Sequence, residues 1–137
     1  MSYMENLFIA STLTTPEIRF FIKENNFRIS GTSRPVDVRG FYYQVIDWLK
    51  ELADEIISNK IVNFSKENPL RFQVEFLYFN SSSAKLLYDI FSELKRIHEA
   101  GIPVRVEWYY DKEDTDMLSA GQDFAILQEM EFVSVAK

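Results

Sequence analysis

The stretch RFQVEFLYFNSSSAKLLYDIFSELKRIHEAGIPVRVEWYY, from Arg71 to Tyr110, changes its hydrophobic period twice. That change limits the fold more than any other feature of the chain. From Arg71 to Phe79 the pattern alternates, with Phe72, Val74, Phe76 and Tyr78 on one face and Gln73, Glu75, Leu77 and Phe79 on the other. Period two is the mark of a strand. From Ser82 onward Leu86, Leu87, Ile90, Phe91, Leu94 and Ile97 recur at helical spacing, and Gly101 and Pro103 mark the helix end. Val104, Val106, Trp108 and Tyr110 then alternate with Arg105, Glu107 and Tyr109 as a second strand. A crossover of this kind normally leaves two parallel strands. Parallel strands covered on both faces read as continuous apolar runs. These two instead carry Gln73 and Glu75, or Arg105 and Glu107, on one side. The predicted architecture is α/β, a mixed sheet with helices packed mainly on one face.

The segments before this unit supply the rest. Asn6 to Ala10 is a short apolar edge strand. Ile18, Phe20 and Ile22 alternate with polar residues, Glu24 to Asn26 signal a turn, and Phe27 and Ile29 alternate again. This predicts a hairpin ending near Gly31. In GTSRPVD, Thr32 and Ser33 are candidate caps and Pro35 suits a first turn. Phe41, Tyr42, Val45, Ile46, Leu49, Leu52, Ile56 and Ile57 then form the apolar face of a helix ending near Asn59. Residues 58–70 read as a connection. After Tyr110, Asp114 or Thr115 caps a short helix through Leu118 to Ala120, interrupted at Gly121, and EMEFVSV is a last strand. No repeat or boundary divides residues 1–137, which read as one domain.

Composition removes several chemistries. The chain has no cysteine and a single histidine, His98. Disulfides and thiolate chemistry are excluded, and a zinc site lacks its ligands. The net charge of -6 argues against nucleic-acid binding. No segment approaches the roughly 18 apolar residues of a membrane span. The start MSYMENLFIASTLTT does not resemble a signal peptide, so a cytoplasmic protein is expected.

The functional question sits at the strand-to-helix corner, Asn80, Ser81, Ser82 and Ser83. Functional loops of such units lie at the carboxyl ends of parallel strands. The acidic loop Asp111 to Asp116 ends the other parallel strand, so it should lie near Ser81. Asn80 or Ser81 can be a helix cap contributing about 1 kcal/mol. The helix start from Ser81 to Lys85 can bind an anionic ligand or nucleotide through its free amides. It lacks the glycines and spacing of a P-loop. A serine nucleophile needs a base. His98 lies 17 residues on, about 25 Å along the helix. Finally, an exposed serine on a rigid corner can accept a phosphate, which adds about -1.5 to -2 charge.

The motifs TTPEIRFFI, ISGTSRPVD, FYYQVIDWL, FLYFNSSSAKLL and VEWYYDKEDTDMLSAGQDF, in that order over nearly the whole chain, resemble the SiaC family of bacterial regulatory phosphoproteins. The resemblance implies a STAS-like fold, similar to anti-sigma-factor antagonists. It implies a partner switch with no enzymatic activity and no cofactor. The acceptor would be the residue after Asn80, Ser81, with Ser82 and Ser83 as alternatives. Asn80, Ser82, Ser83, Lys85, Asp111, Asp114 and Asp116 would form the switch surface. Expected partners are a Ser/Thr kinase of the histidine-kinase-like ATPase type, a PP2C-type phosphatase, and a diguanylate cyclase that the unphosphorylated form activates. The output would be cyclic-di-GMP signalling and biofilm regulation.

Overall fold

A computed structural model describes residues 4–137. Strands β1 (Leu7–Ile9), β2 (Glu17–Phe21) and β3 (Asn26–Ser33) lead into helix α1 (Val38–Ile57). Then come β4 (Leu70–Phe79), α2 (Ser81–Glu99), β5 (Val104–Tyr110), α3 (Thr115–Gln128) and β6 (Phe132–Ala136). The six strands form one sheet in chain order. β1, β2 and β3 pair antiparallel, and β3 through β6 pair parallel. The mixed sheet expected from the alternation is therefore present.

The two faces of the sheet differ as the pattern requires as far as Phe76; past the register shift the alternation of β4 is broken, so that Tyr78 is exposed and Phe79 packs on the core. Ile18, Phe20, Phe27, Ile29, Phe72, Val74, Val106 and Trp108 are fully buried on the face that meets the helices. From α1, Trp48 stacks on Phe20 and Phe27. From α2, Phe91 meets Trp108, and from α3, Phe124 meets Trp108, Phe79 and Phe91. The other face is polar. Glu107 accepts from Arg71, Arg105 and Gln73, and Glu75 pairs with Arg28 and Lys137.

Three boundaries differ from the sequence reading. β3 runs past Gly31 to Ser33 because Gly31, at φ +118°, absorbs a register shift against β4 between Gly31 and Thr32. Glycine alone adopts that conformation without strain. Consequently Thr32 and Ser33 belong to the strand. Asp37 caps α1 instead, accepting from the Gly40 amide at 3.0 Å, and Pro35 lies before the helix. Third, α3 continues through Gly121 without interruption.

Gly121 is small for a packing reason. A Cβ built there would sit 2.5 Å from Cδ1 of Trp108. The indole cannot retreat, since Phe76, Phe79, Phe91 and Phe124 surround it and its Nε1 donates to the Met117 carbonyl at 2.9 Å. Overpacking costs about 1–3 kcal/mol, against a helix-propensity gain of about 1 kcal/mol for alanine. Gly121→Ala should therefore lower stability by a net of up to ~2 kcal/mol in urea denaturation. An unchanged midpoint would show that α3 slides to relieve the clash.

Candidate functional site

Because β3, β4 and β5 are parallel, their carboxyl ends share one edge of the sheet. β4 outruns β5 there. Its last pairing with β5 is Glu75 with Tyr109, while its pairing with β3 continues to Phe79 opposite Ser33. The corner after β4 is thus built against the end of β3. The Asn80 amide donates to the Ser33 carbonyl at 3.0 Å.

Asn80 is the N-cap of α2, in extended backbone. Its Oδ1 accepts the Ser83 amide at 2.9 Å and the Ser82 hydroxyl at 3.1 Å. Ser81 opens the helix, one residue earlier than the periodicity implies. It is exposed, and its hydroxyl makes no hydrogen bond with the described residues. Of the three serines, it alone presents an uncommitted hydroxyl to solvent.

Ser83 departs from expectation. As an alternative acceptor and part of the switch surface it should be accessible, yet it is fully buried. Its Oγ lies 2.8 Å from Ser33 Oγ and 3.2 Å from the Ser33 carbonyl. Ser33 Oγ lies in turn 2.5 Å from the Tyr42 hydroxyl. The helical period explains the burial: Ser83 falls on the stripe continued by Leu86, Leu87 and Ile90. Burial pushes the Tyr42 phenol up to about 12, with the Ser33 and Ser83 hydrogen bonds opposing. No buried side-chain polar atom in this cluster lacks a partner.

Lys85 is exposed and points along the helix to Asp89 at 3.4 Å. The acidic loop lies at the same sheet edge, after β5, but is organised within itself. Asp111 accepts the Glu113 amide at 2.9 Å, and Asp114 caps α3 through the Met117 amide at 3.0 Å. Asp116 is exposed in the first turn of α3. The loop is tied to the last strand, where Lys112 donates to the Lys137 carbonyl at 3.2 Å. Among the described residues, no hydrogen bond or ion pair joins it to Asn80–Lys85. The neighbour that sequence reasoning missed is the β3–α1 corner, with Ser33 and Tyr42. The hydroxyl-rich GTSRPVD is the signal for it in the sequence, although by local chemistry alone those hydroxyls suit a helix cap.

His98 is exposed in the last turn of α2, at the opposite end from Ser81. Among the described residues, no group of three or more His, Asp or Glu side chains is arranged to hold a metal ion. No described helix is long and apolar enough to cross a membrane.

Comparison with known proteins bears on the same features. Residues 9–137 match the model of the SiaC family regulatory phosphoproteins. An uncharacterized protein of Pseudomonas aeruginosa strain UCBPP-PA14 is 30% identical over 122 residues, 88% of each chain. The crystal structure of apo-SiaC from Pseudomonas aeruginosa superposes with a TM-score of 0.77 at 26% identity, covering 98% of this chain and 99% of that one. The structure of the diguanylate cyclase SiaD in complex with its activator SiaC, also from Pseudomonas aeruginosa, matches with a TM-score of 0.80 at 27% identity, covering 96% and 99%. With a family match that runs from β1 to the last residue and spans the serine corner, the chain belongs to the SiaC family of regulatory phosphoproteins.

Proposed function

We propose that this protein is a partner switch in which reversible phosphorylation of Ser81 controls binding to a diguanylate cyclase, and so cyclic-di-GMP output. The observation that carries the reading is the state of the Ser81 hydroxyl. It is exposed and uncommitted on a corner fixed by the Asn80 cap, and the two hydroxyls that follow it are committed, Ser82 to Asn80 Oδ1 and Ser83 to the buried cluster. A kinase needs such a reachable acceptor in a reproducible position. The mechanism is electrostatic: the dianion changes the outward-facing potential without unfolding the corner, since a helix N-terminus tolerates negative charge. Leu77 and Tyr78, exposed at the end of β4 just before Ser81, offer apolar contact area to a protein partner.

The cyclase enters from the family relation, since a SiaC with this fold is the activator in complex with SiaD. The unphosphorylated form is the activating one. A Ser/Thr kinase of the histidine-kinase-like ATPase type writes the phosphate, and a PP2C-type phosphatase removes it. We read the fold as STAS-like, the setting as cytoplasmic and the chain as non-enzymatic.

The test is site mapping. After treatment with the cognate kinase and ATP, peptide mass spectrometry should find one phosphate on the Asn80–Lys85 peptide, at Ser81, and none on the Ser81→Ala variant. Phosphate on Ser82 alone, or none when the kinase modifies its other substrates, would sink the assignment.

A further inference from the structure

The cluster of Ser83, Ser33 and Tyr42 lies beneath the acceptor corner and has no part in accepting the phosphate. It joins three elements: α2 through Ser83, β3 through Ser33 and α1 through Tyr42. Its hydroxyls lie 2.8 Å and 2.5 Å apart, all in buried residues. One direction gives every proton an acceptor. Tyr42 donates to Ser33 Oγ, Ser33 donates to Ser83 Oγ, and Ser83 donates to the Ser33 carbonyl. A buried chain of this sort resists partial breakage, because each freed hydroxyl is left unpaired away from water.

One end of the chain is coupled to the acceptor. Ser83 is two residues past Ser81, and its amide is held by Asn80 Oδ1. A phosphate on Ser81 brings oxygens that compete for the free amides of that same first turn. Any shift of the Ser83 amide moves Ser83 Oγ with respect to Ser33. The other end is coupled to surface. Ser33 ends β3, and Arg34 to Asp37 follow before α1. Beyond Ser33, this segment is anchored by the Arg34 amide on the Thr14 carbonyl at 2.8 Å, and Val36 is fully exposed.

The geometry points to the Ser83–Ser33–Tyr42 hydroxyl chain as a positioning relay that carries the phosphorylation state of Ser81 to the Arg34–Asp37 segment, so that a protein partner reads two adjacent corners. This inference rests on the phosphoswitch reading and deepens it. The partner loses affinity through the added charge at Ser81, and also because the neighbouring corner is released.

The experiment uses the full chain with phosphoserine installed at position 81 by genetic encoding, so no kinase or cyclase is needed. Amide hydrogen exchange by NMR is followed at Arg34, with Ile90 and Phe91 in the middle of α2 as references. Phosphoserine should speed exchange at Arg34 by about five- to tenfold, the response to losing one net hydrogen bond. In Ser33→Ala and Ser83→Ala backgrounds the same modification should change it by less than about twofold. The Tyr42 ring-carbon shift should move with phosphorylation in the wild type and not in either variant. If Ser33→Ala does not fold, Ser83→Ala alone decides. No acceleration in the wild type overturns the relay, as does equal acceleration in the variants, which assigns the coupling to the Asn80–Ser33 backbone bond. Faster exchange shared by Ile90 and Phe91 also overturns it, since that is general destabilisation. A relay that stands while Ser81 proves not to be a kinase substrate would leave the device intact and remove the switch reading.

Discussion

Phosphoserine at position 81 should weaken binding to a diguanylate cyclase partner by about a hundredfold, whereas Ser81→Ala should keep the affinity within about twofold. The asymmetry follows from what the hydroxyl does now. It makes no hydrogen bond with the described residues, so its loss removes little. The phosphate instead adds about -1.5 to -2 charge to a chain that already carries -6. Within a protein interface, a dianion must be stripped of water or set against like charge, which costs several kcal/mol. A loss of about 2.7 kcal/mol is a factor of a hundred. Ser81→Asp carries one charge on a shorter arm and should weaken binding by roughly tenfold. Calorimetry on purified proteins at two salt concentrations separates the causes. A defect local to the interface persists at high salt, while long-range repulsion fades beyond a Debye length of about 8 Å at physiological ionic strength. Equal affinities for phosphorylated and unmodified protein would rule out the electrostatic switch.

Sequence periodicity was most informative where one face of an element is buried. The period change at Ser81–Ser82 marks the strand-to-helix corner to within one residue, because the apolar stripe of α2 and the alternation of β4 meet there. The polar faces of β4 and β5 announced an uncovered sheet face, which the Glu107 and Glu75 clusters occupy. The readings that failed depend on contacts distant in sequence. Nothing local reveals that β3 runs parallel to β4, so Ser33 could not be matched with Ser83, 50 residues away. Without that pairing, Thr32 and Ser33 have only the local chemistry of caps. Gly121 reads locally as a helix breaker, and only the Trp108 ring against it explains why a glycine is tolerated there. As for the site, three serines in a row are chemically equivalent on paper. Helix phase makes them unequal: Ser81 and Ser82 face solvent and Ser83 the core. That phase was legible in principle from Leu86, Leu87 and Ile90.

The second large effect concerns stability, and it comes from the opposite face of the sheet. Glu107 is buried among Arg71, Arg105, Gln73 and Tyr109. Burial raises its carboxyl pKa, but hydrogen bonds from Arg105, Arg71 and Gln73, with the Arg71 charge, outweigh this and bring it down to about 2 from an ordinary 4.5. A depressed carboxylate stabilises the fold above its unfolded value and loses that contribution as pH falls through its folded value. The window therefore runs from about pH 5 down to about pH 2. Across it the wild type should lose roughly 3 kcal/mol from this group, as the drop from 4.5 to about 2 implies at about 1.4 kcal/mol per pH unit. At pH 7, Glu107→Gln should be destabilised by about 3 kcal/mol, the lower end for breaking a buried pair, since Arg71 and Arg105 are half exposed and can rehydrate. Urea denaturation of both proteins from pH 7 to pH 2.5 provides the check. The two stabilities should converge as Glu107 takes up its proton, because the protonated wild type and the amide variant then present the same charge to the two arginines. A gap that stays constant with pH would assign the cost to packing and hydrogen-bond geometry instead of charge. The variant also tests the division of labour across the sheet. Ser81 lies at the end of the sheet where, among the described residues, no hydrogen bond or ion pair links it to the Glu107 cluster, so Glu107→Gln should be phosphorylated at Ser81 at the wild-type rate wherever it remains folded.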